Sequence, residues 1–219
     1  MALFEDRHDA GRRLASELEG FKDTDTLILA LPRGGVVVGY EVAVRLGVPM
    51  DVFIARKIGA PGNPELAIGA VAEIDGIWLD RESMEALGVS DQYVQAEIER
   101  QKAEIQRSIE IYRKGMSLPA LKGRRVIVVD DGIATGYTML AALRGIRREE
   151  PALLVAAVPV APAESLWRVS GEADRTVCLA TPEPFYAVGF HYDDFQQVTD
   201  QEVTELLERS RGVVGPGPR

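Results

Sequence analysis

Short apolar segments alternate with longer amphipathic segments along most of the chain. The apolar segments are bounded by glycine, proline or charged residues, which is typical of buried strands, and they lie at 26–31, 51–55, 66–73, 77–79, 125–129, 153–158 and 176–179. Between them, apolar residues recur every three or four positions, which predicts helices at 5–20, 36–46, 91–114, 137–148, 163–169 and 200–209. This alternation predicts an α/β fold with a mostly parallel central sheet flanked by helices. We expect one domain over 1–219, with a helical insertion at about 80–118 and a frayed tail at 212–219.

Composition narrows the class of protein. Of 219 residues, 46% are hydrophobic and 27% charged, as in a folded globular protein. No apolar run approaches the roughly 18 residues of a membrane span, and the N-terminus lacks the pattern of a secretory signal. Cys178 is the only cysteine, so no internal disulfide is possible and we expect a cytoplasmic location. The net charge of −9 argues against a general nucleic-acid binder, and no metal-ligand spacing indicates zinc.

Unusual polar residues follow three of the predicted strands, at 32–35, 56–57 and 130–131. The carboxyl ends of parallel strands meet at one edge of a sheet, where α/β proteins bind their ligands. We therefore expect these three segments to converge on one site.

The segment 126–138, VIVVDDGIATGYT, carries the most specific pattern. Asp130 and Asp131 emerge from a buried strand, where two adjacent carboxylates need donors such as the vicinal hydroxyls of a ribose. The following loop combines glycines, threonine hydroxyls and a helix N-terminus, which together favour a phosphate group. The alternative is an ordinary strand end followed by a capped helix.

This whole segment resembles the signature of type I phosphoribosyltransferases, which bind 5-phosphoribosyl 1-diphosphate (PRPP). The resemblance implies that Asp130 and Asp131 bind the ribose hydroxyls and, mainly indirectly through PRPP, a Mg²⁺ cofactor. It also implies that the 5-phosphate is bound by the loop residues Gly132, Ile133, Ala134, Thr135, Gly136, Tyr137 and Thr138. The order of elements fits the family over about 25–180, but the resemblance says nothing about 80–120 or the C-terminus.

The other two strand ends acquire roles from the same resemblance. Arg33, Gly34 and Gly35 correspond to a loop that binds the diphosphate, although an ordinary turn with one surface arginine is the alternative. Arg56 and Lys57 are the catalytic candidates, since cations there offset charge on the departing diphosphate; strand-end cations are otherwise often only solvated. Residues 59–65, rich in glycine and proline, resemble the family's mobile catalytic loop, with Glu65 as a weaker candidate.

The acceptor of the phosphoribosyl group is the least determined part. In this family a variable hood covers the acceptor, and the aromatic segment at about 180–197 is the hood candidate here, with Phe190, His191 and Tyr192 as its acceptor-binding residues. Equally, these aromatics could pack the end of the sheet. Ala134 stands where some purine-specific relatives place an acid, so no catalytic base is identified. For the charged helix of the insertion we favour a solvated face over a lid or a dimer surface.

Two functions of different class fit this pattern. The first is an enzyme that transfers phosphoribosyl from PRPP to a nucleobase or similar small nucleophile, using Mg²⁺ and acting as a homodimer, with neither nucleic-acid nor membrane partners. The second is a regulatory protein that senses PRPP without turnover. The retained Arg56–Lys57 pair and the lack of a spare basic segment favour the enzyme. A dinucleotide-binding enzyme is disfavoured because neither GxGxxG nor GxxxxGK[ST] occurs.

Overall fold

Five parallel strands form the central sheet of the computed structural model, which describes residues 2–22 and 25–213. Across the sheet, the strands are Met50–Val52 (β2), Thr26–Ala30 (β1), Arg125–Val129 (β6), Leu153–Val160 (β7) and Arg175–Ala180 (β8). The register places Ala30 of β1 opposite Val129 of β6. The segments that follow these two strands therefore leave the sheet at the same level.

Helices bury both faces of this sheet. One face is covered by Arg7–Glu17 (α1), Gly34–Leu46 (α2) and Asp200–Val213 (α7), and the other by Tyr137–Arg148 (α5) and Ala163–Ser170 (α6). Every residue of β1 is buried, because helices pack on both of its sides. This confirms the predicted mostly parallel sheet flanked by helices.

A second, antiparallel sheet of three strands packs on α5. It consists of Ala55–Ala60 (β3), Asn63–Ala72 (β4) and Ile77–Leu79 (β5). The strand predicted at 51–55 is confirmed as β2, but its predicted end is wrong because β2 ends at Val52. The predicted loop 59–65 is wrong, because these residues form the tip of a β-hairpin. The hairpin turns at Pro61–Gly62, where Gly62 has a φ of 74°. Glycine and proline are favoured at such tight turns, so the hairpin tip has the composition that is typical of a loop.

The insertion contains two helices, Arg81–Ala86 (α3) and Asp91–Arg113 (α4). One face of α4 is buried against the small sheet through Val94, Ile98 and Ile105, and its opposite face is exposed. The charged face that the sequence predicts to be solvated is the exposed one. Short 3₁₀ turns follow α1 at Glu19–Phe21 and precede α7 at Val188–His191.

Most of the predicted helices differ from the observed ones by only a few residues at their ends. The helix predicted at 5–20 ends earlier, at Glu17, and α7 extends to Val213. Residues 214–219 of the predicted tail lie outside the described part of the chain. None of the helices in the described part is both long and apolar enough to cross a membrane.

Candidate active site

The loop that opens α2 lies directly against the acidic pair that follows β6. A Cβ atom added to Gly34 would lie 1.8 Å from Oδ2 of Asp131, and one added to Gly35 would lie 2.9 Å from Cα of Asp130. Any side chain at either position would displace the acidic pair. The glycines at 34 and 35 are therefore required by close approach, and two of the three predicted strand ends do meet.

The two carboxylates are poorly compensated by the protein. Asp131 accepts a hydrogen bond at 2.7 Å from Nε of Arg7, which lies at the start of α1. Burial raises the pKa of Asp131, and the Arg7 charge opposes that rise. Burial, followed by the like charge of Asp131, raises the pKa of Asp130 well above its usual value. Both environments disfavour the charged form, so the pair would be stabilised by added donors or a cation.

Arg7 also joins the acidic pair to the C-terminal part of the chain. Its Nη1 donates to the carbonyl of Gln196 at 2.8 Å, and its guanidinium lies 3.8 Å from the centroid of the Phe195 ring. The sequence alone does not indicate a role for Arg7, since a basic residue in a charged amphipathic helix carries no signal of a partner 124 positions away.

The loop 132–138 surrounds a cavity of about 200 Å³ that also contains Asp130, Asp131 and Lys57 in its wall. Gly136 caps α5 with a φ of 83°, a left-handed conformation that favours glycine. The first amide groups of α5 have no helical acceptor and lie at its positive end. Backbone donors, the Thr138 side chain and Lys57 thus share a cavity of a size and polarity that suit a phosphate ester.

Two side chains of this loop make contacts within the protein. Ile133 is buried in the core, and its amide donates to the carbonyl of Val160 at 2.9 Å. The Tyr137 hydroxyl donates to Asp80, and burial together with this bond raises the pKa of Tyr137 to about 12. At these two predicted positions the side chains support the loop, and at Tyr137 only the backbone N–H is available to a ligand.

A further support of the loop comes from α6. The Ser165 hydroxyl donates to the carbonyl of Ala134 at 2.6 Å, and the Ser165 side chain is buried. Ser165 therefore fixes the middle of the loop from behind. Sequence reasoning missed it because a lone serine at the start of a helix has no distinctive pattern.

Arg56 and Lys57 lie within β3, so they extend to opposite faces of the small sheet. Lys57 lies in the wall of the cavity at the acidic pair, and its charge opposes the raised pKa of Asp130. Arg56 turns towards α4 and donates from Nε to Oε1 of Gln101 at 2.8 Å. Glu65 is exposed near the tip of the hairpin.

Arg33 precedes α2 as its N-cap residue, and the peptide bond between Pro32 and Arg33 is cis. The Arg33 side chain extends away from the acidic pair, and its Nη1 lies 4.0 Å from Oδ1 of Asp200 at the start of α7. Gly34 and Gly35 begin α2, so their amide groups have no helical acceptors and point to the same edge of the sheet.

Two of the three predicted hood residues are buried. The Tyr192 hydroxyl donates to the carbonyl of Asp131 at 2.5 Å, and its ring packs 5.2 Å from that of Phe4. His191 lies beside Phe185, with ring centroids 5.0 Å apart, and burial lowers the pKa of its imidazole. Tyr192 thus supports the acidic pair, and His191 belongs to the packed base of this segment.

The third predicted hood residue, Phe190, is 71% exposed, and so is its neighbour Tyr186 at 75%. Their ring centroids are 6.0 Å apart. Val188, between them in sequence, lies in the wall of the cavity at the acidic pair. The segment therefore carries an exposed aromatic pair next to the cavity, a feature that suits stacking on a flat partner.

Known proteins share both the sequence pattern and the fold of this chain. It matches the family model described as phosphoribosyl transferase domain over residues 4–194. Two Mycobacterium tuberculosis proteins, from strains CDC 1551 and H37Rv and each named as a candidate phosphoribosyl transferase, are 44% identical to it over 211 residues. The match covers 96% of this chain and 47% of each relative, so the chain spans about half the length of these relatives.

The crystal structure of TT1426 from Thermus thermophilus superposes with a TM-score of 0.79 at 44% identity, covering 95% of this chain and 99% of that one. The family model alone covers far more than half of the 219 residues. The chain belongs to the phosphoribosyl transferase domain family.

Proposed function

We propose that the protein binds PRPP with Mg²⁺ and transfers its phosphoribosyl group to a nucleobase or similar small nucleophile, releasing diphosphate. The observation that carries this proposal is a single cavity whose wall contains the acidic pair, the loop 132–138 and Lys57. A ribose 5-phosphate needs acceptors for its hydroxyls and, close by, donors for its phosphate. The acidic pair can supply the acceptors, and the loop that directly follows it can supply the donors. Because Gly34 lies directly against Asp131, the predicted diphosphate loop adjoins the same cavity.

A divalent cation fits the acidic pair. Asp130 has a raised pKa because burial and Asp131 both disfavour its charge, and a nearby cation would relieve this. No group of three or more acidic, histidine or cysteine side chains suited to a metal occurs in residues 2–22 and 25–213. We therefore infer that Mg²⁺ takes most of its ligands from PRPP oxygens and water, as this ion commonly does beside phosphates. Bound there, it would neutralise charge on the diphosphate.

The protein's own groups would bind and orient PRPP. Asp130 and Asp131 accept from the ribose hydroxyls, and the amide groups at the start of α5 donate to the 5-phosphate. Lys57 places a positive charge beside the reacting sugar, and the amides of Gly34 and Gly35 donate to the diphosphate. Such fixed charges act most strongly where negative charge develops as the leaving group departs.

The acceptor would approach from the side of the exposed aromatic pair Tyr186 and Phe190. Their position beside Val188 supports a flat acceptor that stacks on aromatic rings. A homodimer and a cytoplasmic location stay predictions from the sequence.

The test is diphosphate release from PRPP and Mg²⁺, screened against purines, pyrimidines and small amines. We expect release with one class of acceptor, and its loss in the double variant Asp130→Asn with Asp131→Asn. The control is Glu149→Gln with Glu150→Gln, which removes an exposed acidic pair beyond the far end of α5. Calorimetry with PRPP separates the alternatives: binding without turnover would indicate a sensor, and no binding at all would overturn the proposal.

A further inference from the structure

A second cavity, of about 430 Å³, opens on the other side of the diphosphate loop. Its wall contains Arg33 from that loop, Arg56 from β3 and Arg107 from α4. Three guanidinium groups from three separate elements thus face one space next to the loop that would hold the diphosphate. None of the three lines the smaller cavity at the acidic pair.

The insertion supplies a continuous edge of this cavity. Glu104, Arg107, Ser108 and Ile111 all line it, and their spacing of three, four and seven positions places them on one face of α4. This part of α4 is therefore the wall of a cavity beside the candidate site, which the charged sequence of the helix does not reveal.

The acidic residues of this cavity are bound to its arginines or to a tyrosine. Glu104 accepts from Arg107 at 2.8 Å, and Asp200 accepts from the Tyr112 hydroxyl at 2.5 Å and lies 4.0 Å from Arg33. The Arg107 and Arg33 pairs are both exposed to solvent, so each contributes little stability. A multiply charged anion would compete well for such guanidinium groups, because bidentate contacts to phosphate oxygens are among the strongest hydrogen bonds in proteins.

We infer that this cavity receives the diphosphate leaving group and that Arg107 is a diphosphate-contacting residue supplied by the insertion. The inference rests on the proposed function. When the C1–O bond of PRPP breaks, the bonding electron pair leaves with the diphosphate oxygen, while a nitrogen lone pair of the acceptor forms the new bond to C1 and the acceptor's N–H proton passes to solvent. The negative charge gained by the diphosphate then lies beside the diphosphate loop, and Arg33, Arg56 and Arg107 are the cations on its outer side.

The structure offers a closely matched control for Arg107. Arg81, at the start of α3 in the same insertion, is 67% exposed and pairs with the exposed Asp91, just as Arg107 is 72% exposed and pairs with the partly exposed Glu104. Arg81 does not line the cavity. Loss of either arginine removes the same charge and the same kind of surface ion pair, so only position distinguishes them.

The experiment measures binding of inorganic diphosphate with Mg²⁺ to the full chain by calorimetry. We expect Arg107→Gln to raise the diphosphate Kd by about tenfold, the loss of roughly one charge-assisted hydrogen bond, and Arg81→Gln to leave it unchanged. Glu104→Gln frees Arg107 and should lower the Kd. Ribose 5-phosphate, the second probe, should bind all three variants as it binds the wild type.

Equal diphosphate affinity in wild type and Arg107→Gln, or equal weakening in both arginine variants, would overturn the inference while leaving the proposed function intact. A wild-type protein that binds ribose 5-phosphate but not diphosphate would also overturn it. Failure of the wild type to bind ribose 5-phosphate and PRPP would instead overturn the proposed function. Thermal melts verify folding, which these exposed substitutions should not affect.

Discussion

The adjacent cations Arg56 and Lys57 line two different cavities, although they are neighbours in one strand. Successive side chains of β3 point to opposite faces, so Lys57 lies with the acidic pair while Arg56 faces α4 and the larger cavity. The sequence predicts the pair as one catalytic unit at a strand end. The structure instead divides it between the cavity at the acidic pair, which Lys57 lines, and the larger cavity beside α4, which Arg56 lines.

This division predicts opposite ligand effects for two substitutions. Lys57→Gln should weaken binding of ribose 5-phosphate by about tenfold to a hundredfold, the range for losing one charge-assisted hydrogen bond. Arg56→Gln should leave ribose 5-phosphate binding near the wild-type value and weaken diphosphate. Calorimetry of both variants with both ligands checks this. If the two variants weakened the same ligand equally, the assignment of the two side chains to separate cavities would be wrong.

At the residue level, the sequence revealed the groups with a compact local pattern and not their distant partners. Asp130, Asp131 and Gly136 are predictable as site residues because they belong to one short, specific sequence pattern at 126–138. Arg7 and Ser165 support that segment from positions 124 and 31 residues away from the groups they contact. Hydrogen bonds of this kind depend on tertiary packing, which no short sequence pattern encodes.

Among the elements, α4 is fixed to both sheets by a buried ion-pair network at its C-terminal end. Nη1 of Arg113 donates to Oε2 of Glu73 at 2.7 Å, its Nη2 donates to the carbonyl of Val52, and Asp51 lies 3.4 Å away. Glu73 in turn accepts from the amide of Ile54 at 2.7 Å. The network thus joins α4 to the end of β4 and to the end of β2, the strand that directly precedes β3 in the chain.

We predict that Arg113→Met destabilises the protein by about 3–5 kcal/mol, because it leaves Glu73 and Asp51 buried without their cation. The neighbouring Lys114 pairs with Glu208 in solvent, so Lys114→Met should not change the stability measurably. Urea titrations followed by circular dichroism provide the comparison. Similar midpoints for the two variants would show that the buried network contributes no more than a surface pair.

The elements themselves were largely predictable, with one instructive failure. The helix 137–148 matches Tyr137–Arg148 because a strong apolar period marks its length and Gly136 marks its start. The segment 59–65 is predicted as a loop because the hairpin tip is rich in glycine and proline, and pairing between strands is not visible in composition. The apolar run 66–73 correctly predicts most of β4. The end of β2 is misplaced for another reason, since Phe53 and Ile54 continue the apolar run after the strand has ended.

For the molecule as a whole, the N-terminal segment meets the predicted hood segment next to the acidic pair. The amides of Leu3 and Phe4 donate to the carbonyl of His191, and the amide of Asp193 donates back to the carbonyl of Phe4. Phe4 and Tyr192 pack together in a small apolar cluster of their own. The predicted hood is therefore anchored to the N-terminal segment, a contact that a sequence read from one segment to the next does not indicate.

This arrangement predicts that an N-terminal core residue controls PRPP binding. Phe4 is 2% exposed, and Phe4→Ala should destabilise the protein by about 3 kcal/mol by opening a cavity against Tyr192. Because the Tyr192 hydroxyl holds the carbonyl of Asp131, we also expect weaker PRPP binding at temperatures where the variant is folded. The adjacent Leu3 is 38% exposed, so Leu3→Ala keeps the backbone pairing and should have little effect on either property. Thermal melts and PRPP calorimetry on both variants decide the matter: a destabilised Phe4→Ala protein with wild-type PRPP affinity would show that the hood and the ribose site are uncoupled.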